Sequence, residues 1–85
     1  MSKAQKLIEK FLKQGNDFEY DDLVAMLNYF GYEEAKIGKT TGSAVCFVNK
    51  KLGSKIRFHK PHPEHYIKKY LMKQIKDSLE KEGLI

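Results

Sequence analysis

A single cysteine, two prolines and the lack of any long apolar run set the first limits on this chain. Cys46 has no partner for an internal disulfide, and a secreted domain of this size usually carries several crosslinks to compensate for a thin core. A reducing compartment, the cytoplasm, is therefore expected. No apolar stretch approaches the roughly 18 to 20 residues that a membrane-spanning helix needs, and the N-terminal residues read as a polar, alternating helix without the apolar centre of a signal peptide. No membrane partner is expected. There is no internal repeat and no low-complexity segment, and the one linker-like stretch is Gly15-Asn16-Asp17. A nucleophile triad, a phosphate-cradling glycine loop and a paired-carboxylate arrangement are all missing, which removes the commonest hydrolase and nucleotide-binding chemistries.

What is present is charge. Sixteen Lys and Arg stand against eleven Asp and Glu, a net +5 at pH 7 over 85 residues. An excess of that size raises the local concentration of polyanions around a small domain, so nucleic acid or an acidic protein is the expected partner class. The length allows one domain, 1–85, whose modest core every element must share.

Hydrophobic spacing predicts the elements. Ala4, Leu7, Ile8, Phe11 and Leu12 form one helical stripe in a first helix from Ser2 to Gln14, and Leu23, Val24, Leu27 and Phe30 form a second that Gly31 stops. From Tyr32 the period becomes two. A strand through Lys36 and Ile37, a turn at Thr40 to Ser43, a strand Ala44 to Asn49, a turn at Lys50 to Ser54 and a strand Lys55 to His59 make an antiparallel meander. Alternation sends Val45, Phe47, Ile56 and Phe58 toward a helix-covered core, and Ala44, Cys46, Val48, Lys55, Arg57 and His59 to the other face. A last helix is expected from Tyr66 to Lys81, burying Ile67, Leu71, Ile75 and Leu79, with Lys69, Lys73 and Lys76 opposite and Gly83 as its stop. The fold class is thus α+β, order ααβββα, a three-stranded antiparallel sheet with helices on one face and the other face open to a ligand.

The densest chemical signal is Arg57-Phe58-His59-Lys60-Pro61-His62-Pro63-Glu64-His65, in a backbone that its prolines restrict. Imidazoles titrate near neutral pH, so two of them can take a proton from an RNA 2′-hydroxyl and return one to the leaving 5′-oxygen while Arg57 and Lys60 neutralise the phosphate. The plainer alternative has His59 at a strand edge and His62 satisfying backbone groups at the helix entrance. Zinc is a further possibility for His59, His62 and His65, but no carboxylate or thiol stands as a fourth ligand, and Arg57 and Lys60 would repel a dication. No metal or other cofactor is expected. Cys46 lies in the apolar run Ala44 to Val48 and reads as a small hydrophobe rather than a reactive thiol.

Several of these residues together carry a resemblance. Leu27, Phe30-Gly31-Tyr32 at a helix end, Gly42-Ser43 with Phe47 four residues on, His59-Lys60-Pro61-His62-Pro63, and Lys73-Gln74-Ile75-Lys76 followed by Leu79 and Gly83-Leu84 resemble the HicA toxins of bacterial toxin–antitoxin modules. The likeness spans about residues 20 to 85, and residues 1–14 are an additional helix. It implies a fold similar to double-stranded-RNA-binding domains, a metal-independent endoribonuclease acting on mRNA, and neutralisation by a HicB-type antitoxin. It also implies a histidine after the Gly-Ser pair, where this chain has Ala44, whose methyl group transfers no proton. An inactivated variant, a branch whose chemistry runs through His59 or His62, and a natural non-cleaving binder each account for that departure.

On this reading His59 and His62 are the catalytic candidates, with Ala44 at the position of the family histidine. RNA contacts are assigned to Lys39, Ser43, Arg57, Lys60, Lys69 and Lys73. Two other classes stay open: a non-catalytic RNA-binding domain that reads phosphates and shape, and a protein-interaction domain whose small apolar residues Ala44, Cys46 and Val48 meet an acidic partner.

Overall fold

The computed structural model describes residues 3–15, 17–35, 44–59 and 66–85. Among them the order is α1 (Lys3–Leu12), α2 (Tyr20–Tyr29), β1 (Glu33–Ala35), β2 (Ala44–Asn49), β3 (Ser54–His59) and α3 (Lys69–Lys81). The expected ααβββα layout is the one observed, with a single antiparallel sheet ordered β1-β2-β3. No helix among the described residues is long and apolar enough to cross a membrane.

α1 buries Phe11 completely and Leu7 and Ile8 in part, as its stripe predicts. Leu12 departs from that prediction and is 42% exposed. At about 100° per residue it falls at the edge of the stripe, and the helix ends there because Gln14 turns into the left-handed region at φ 53°. In α2 the fully buried set is Leu23, Met26 and Leu27. Met26 completes the i, i+3, i+4 seam, while Val24 and Phe30 flank it half-buried.

Gly31 stops α2 at φ 98°, and the Tyr32 amide turns back to donate to the Leu27 carbonyl at 2.9 Å. A side chain at position 31 would be strained by that φ, and its Cβ would come within 3.2 Å of Asn49 Nδ2. Asn49 is the buried polar residue that ties this corner together. Its Nδ2 donates to the Phe30 carbonyl at 3.0 Å, and its Oδ1 accepts from the Leu52 amide at 3.1 Å. One side chain thus fastens the end of α2 to the turn between β2 and β3, and neither of its polar atoms is left buried without a partner.

The sheet faces divide as alternation predicts. Phe47 pairs with Ile56 and Val45 with Phe58 on the helix-covered side, where the Phe47 and Phe58 rings stack 5.8 Å apart. Phe11, Phe18, Tyr32, Ile67, Met72 and Ile75 join them in the core. β1 is Glu33–Ala35, while Lys36, Ile37 and the turn to Ser43 lie outside the described residues. Tyr20 packs edge-on against Phe58, and burial, reinforced by the carboxylates of Glu34 and Asp21, pushes its phenol above the ordinary 10.0. A raised folded-state pKa favours the neutral form. The stability it contributes is therefore complete below pH 10.0 and lost as pH rises through the folded value. Tyr20→Phe should flatten the alkaline limb of a stability-versus-pH curve; an unchanged limb would refute the assignment.

The last helix begins later than its apolar spacing suggests. Residues 66–68 are not helical: Tyr66 makes an antiparallel bridge with Glu19, and the Ile67 amide donates to the Phe18 carbonyl at 2.8 Å. These non-local bonds hold Ile67 in the core at 2% exposure while keeping it out of the helix. Lys68 then occupies the N-cap with extended dihedrals and no side-chain cap. A lysine there neither accepts from the first amides nor suits the positive end of the helix dipole. Lys68→Asp should raise stability by about 1 kcal/mol, equivalent to roughly 4–8 °C in a domain of this size. A thermal melt with no increase would show that the first turn is already satisfied.

Candidate nucleic-acid interface

The open face of the sheet is built by β-pairing register. Three cross-strand rows lie side by side: Glu33, Val48 and Lys55; then Ala35, Cys46 and Arg57; then Ala44 and His59. β3 contributes every basic side chain of this face, because its alternate residues Lys55, Arg57 and His59 all point away from the core and all are exposed. At about 3.3 Å of rise per residue they form a line with a spacing of roughly 6.6 Å, close to that of successive phosphates on an extended strand. β2 contributes no charge, only the half-buried Ala44 and Val48 and the buried Cys46. The line of basic side chains therefore borders a shallow apolar floor.

Ala44 is the direct register partner of His59, on the same face. Opposed residues in an antiparallel pair hold their Cβ atoms about 4.5–5.5 Å apart, so a side chain grown from position 44 would stand beside the His59 imidazole. Sequence alternation had placed both residues on one face, but only the register puts them in one row.

Glu33 is the single carboxylate that the described strands present on this face, and it shares its row with Lys55 rather than with Arg57. The ion pair found among the described residues is Lys10–Asp17 at 3.9 Å, on the helical side of the chain. Neither the Arg57 nor the His59 side chain forms a salt bridge or hydrogen bond with another described residue. An arginine free of carboxylates keeps its full fork of donors for a phosphate.

Other residues assigned from sequence stand elsewhere. Lys69 and Lys73 are exposed on α3, a helix that packs its Leu71, Ile75 and Leu79 side into the core, so they belong to the helical layer rather than to the open face. They do not join Arg57 and His59 in one row of side chains. Lys39, Ser43, Lys60 and His62, together with His65, lie outside the described residues. No group of three His, Cys, Asp or Glu among the described residues could hold a metal ion.

No family model, curated protein or solved structure matches the chain. Its functional reading rests on its own residues and their placement. Sequence reasoning put Lys55 on the right face without giving it a role, and the register adds it to the cationic line. It also missed a cleft of about 160 Å³ lined by Phe30, Gly31, Glu33, Val48, Asn49, Lys50 and Lys51. That cleft sits at the Asn49–Ser54 end of the hairpin, five residues along β3 from His59, or roughly 17 Å. No local pattern would have disclosed it, since it forms where the end of α2 meets the β2–β3 turn.

Proposed function

We propose that this domain acts on RNA as a HicA-type toxin: a metal-independent endoribonuclease fold that engages mRNA and is neutralised by a HicB-type antitoxin. The observation that carries the proposal is the row Ala44–His59 beside Arg57, which no described carboxylate pairs, on a sheet face that no described helix covers. In sequence, His59 is followed directly by Lys60-Pro61-His62-Pro63.

The chemistry requires two proton-handling groups. A base takes the 2′-hydroxyl proton as that oxygen bonds to phosphorus; an acid protonates the 5′-oxygen as its bond to phosphorus breaks. The products are a 2′,3′-cyclic phosphate and a 5′-hydroxyl. His59 supplies one group, Arg57 and Lys60 stabilise the charge on the phosphoryl oxygens, and the second group is either His62 or the side chain that Ala44 lacks. Cleavage by this exact sequence is expected to be weak or absent. The apolar floor of Ala35, Ala44, Cys46 and Val48 suits an antitoxin segment laid across the open face, which would exclude RNA from Arg57 while bound.

The deciding experiment is cleavage of a labelled RNA in chelator by the chain, by Ala44→His, and by that variant lacking His59 or His62. Cleavage gained with Ala44→His and lost with His59→Ala supports the toxin reading. The methyl group of Ala44 favours one second reading, a domain that binds RNA without cutting it. Its signature is affinity falling steeply with salt, by roughly the first power of salt for each phosphate contact, with no cleavage in any variant.

A further inference from the structure

We infer that the start of α3 is a base-stacking platform, where Tyr66 and Tyr70 stack unpaired bases while Lys68, Lys69 and Lys73 hold the adjoining phosphates. The inference rests on the RNA reading above and narrows its substrate to single-stranded RNA. Tyr70 is 70% exposed and Tyr66 47% exposed, the first on the opening turn of α3 and the second just before it. Neither ring packs on another described ring, and neither hydroxyl bonds to a described residue. The other tyrosines of the chain are engaged: Tyr32 is fully buried with its hydroxyl 2.8 Å from Ser54 Oγ, Tyr20 lies against Phe58, and Tyr29, though 59% exposed, sets its ring edge-on to Phe30.

The described surroundings of these two rings are cationic. Lys68, Lys69 and Lys73 are exposed, the first turn of α3 holds no acidic residue, and none of the three lysines pairs with a described carboxylate. Lys69 and Lys73 are four apart and Tyr70 and Lys73 three apart, so ring and charges share one side of the helix. Aromatic faces interleaved with lysines are the makings of a sequence-tolerant single-strand site, because every base has a π-face. A duplex offers none, since its bases are stacked on one another. Tyr66 follows His59 by seven residues, which cannot span more than about 25 Å.

The test is fluorescence anisotropy of a labelled twelve-nucleotide oligouridine and of a labelled RNA hairpin duplex, titrated with the full chain and with Tyr70→Ala, Tyr70→Phe, Tyr66→Ala and Arg57→Ala. Stacking contributes about 1–3 kcal/mol per base, so Tyr70→Ala should weaken oligouridine binding about 5- to 150-fold while Tyr70→Phe retains it. Tyr66→Ala should act in the same direction, and duplex affinity should not change. Equal losses on duplex and single strand would overturn stacking. Unchanged oligouridine affinity in both alanine variants, with a loss in Arg57→Ala, would overturn the inference, leave the RNA reading standing and assign the tyrosines to a protein partner's footprint. No RNA binding by the unmodified chain would end both. At these exposures the tyrosine variants should melt within about 0.5 kcal/mol of the parent, which separates lost contact from lost fold.

Discussion

Ala44→His should raise the rate of RNA cleavage in chelator by about 10²–10⁴-fold, the range that a positioned general acid or base contributes. The expectation follows from register. Position 44 is opposed to His59 on the open face, so the new imidazole has its partner at cross-strand distance and Arg57 in the adjacent row. A scissile phosphate over this end of the sheet would then sit between two groups able to exchange roles as base and acid, and the pH–rate profile should become bell-shaped. His59→Ala in the same background should remove the gain. The substitution is on a half-buried site outside the core, so folding should survive it. A folded Ala44→His protein that binds RNA yet leaves it intact would refute a two-histidine mechanism at this row and favour the non-cleaving reading. Cleavage already present in the unsubstituted chain would instead place the second proton-handling group at His62.

Phe47→Ala should cost about 3–5 kcal/mol, the range for removing a buried aromatic side chain and leaving a cavity. Phe47 is fully buried, it occupies the middle of the central strand, and its ring stacks on Phe58 with only 2° between planes. At roughly 0.05–0.15 kcal/mol per residue, a domain of 85 residues has about 4–13 kcal/mol in total, so one truncation consumes a large part of it. Urea denaturation should show the midpoint falling by about a quarter or more, whereas Leu52→Ala, at a side chain 41% exposed, should shift it little. Equal shifts for the two would mean that the stacked phenylalanine pair is not the centre of the core. Because Val45, Phe47, Ile56 and Phe58 face the core, the fraction of Phe47→Ala that remains folded should still bind RNA through the open face.

The two effects separate the roles of the two sheet faces. A change on the open face alters chemistry with little effect on folding, and a change on the covered face does the reverse. This division arises from strand geometry, since successive side chains on β2 and β3 point to opposite sides.

Much of this was legible in the residues alone. Period two across Ala44 to His59 settled which residues share a face, and the stripe through Leu71, Ile75 and Leu79 settled the buried side of the last helix, because both patterns are local and need only the repeat of the chain. Composition likewise determined that the domain would be cationic and its cysteine unbridged. Tertiary structure decided what depends on distant partners. The pairing of Ala44 with His59 is a matter of hydrogen-bond register, which alternation leaves open by two-residue steps. The start of α3 at Lys69 is set by the Glu19–Tyr66 bridge and the Ile67 to Phe18 hydrogen bond, against an apolar spacing that favours an earlier start. The burial of Asn49 depends on the Phe30 carbonyl and the Leu52 amide arriving beside it. Lys69 and Lys73 stand in a different layer from Arg57 because α3 lies on the covered side of the sheet. Periodicity along a chain specifies which side of an element is apolar; which elements then meet, and in what register, is settled only when non-local hydrogen bonds and packing close.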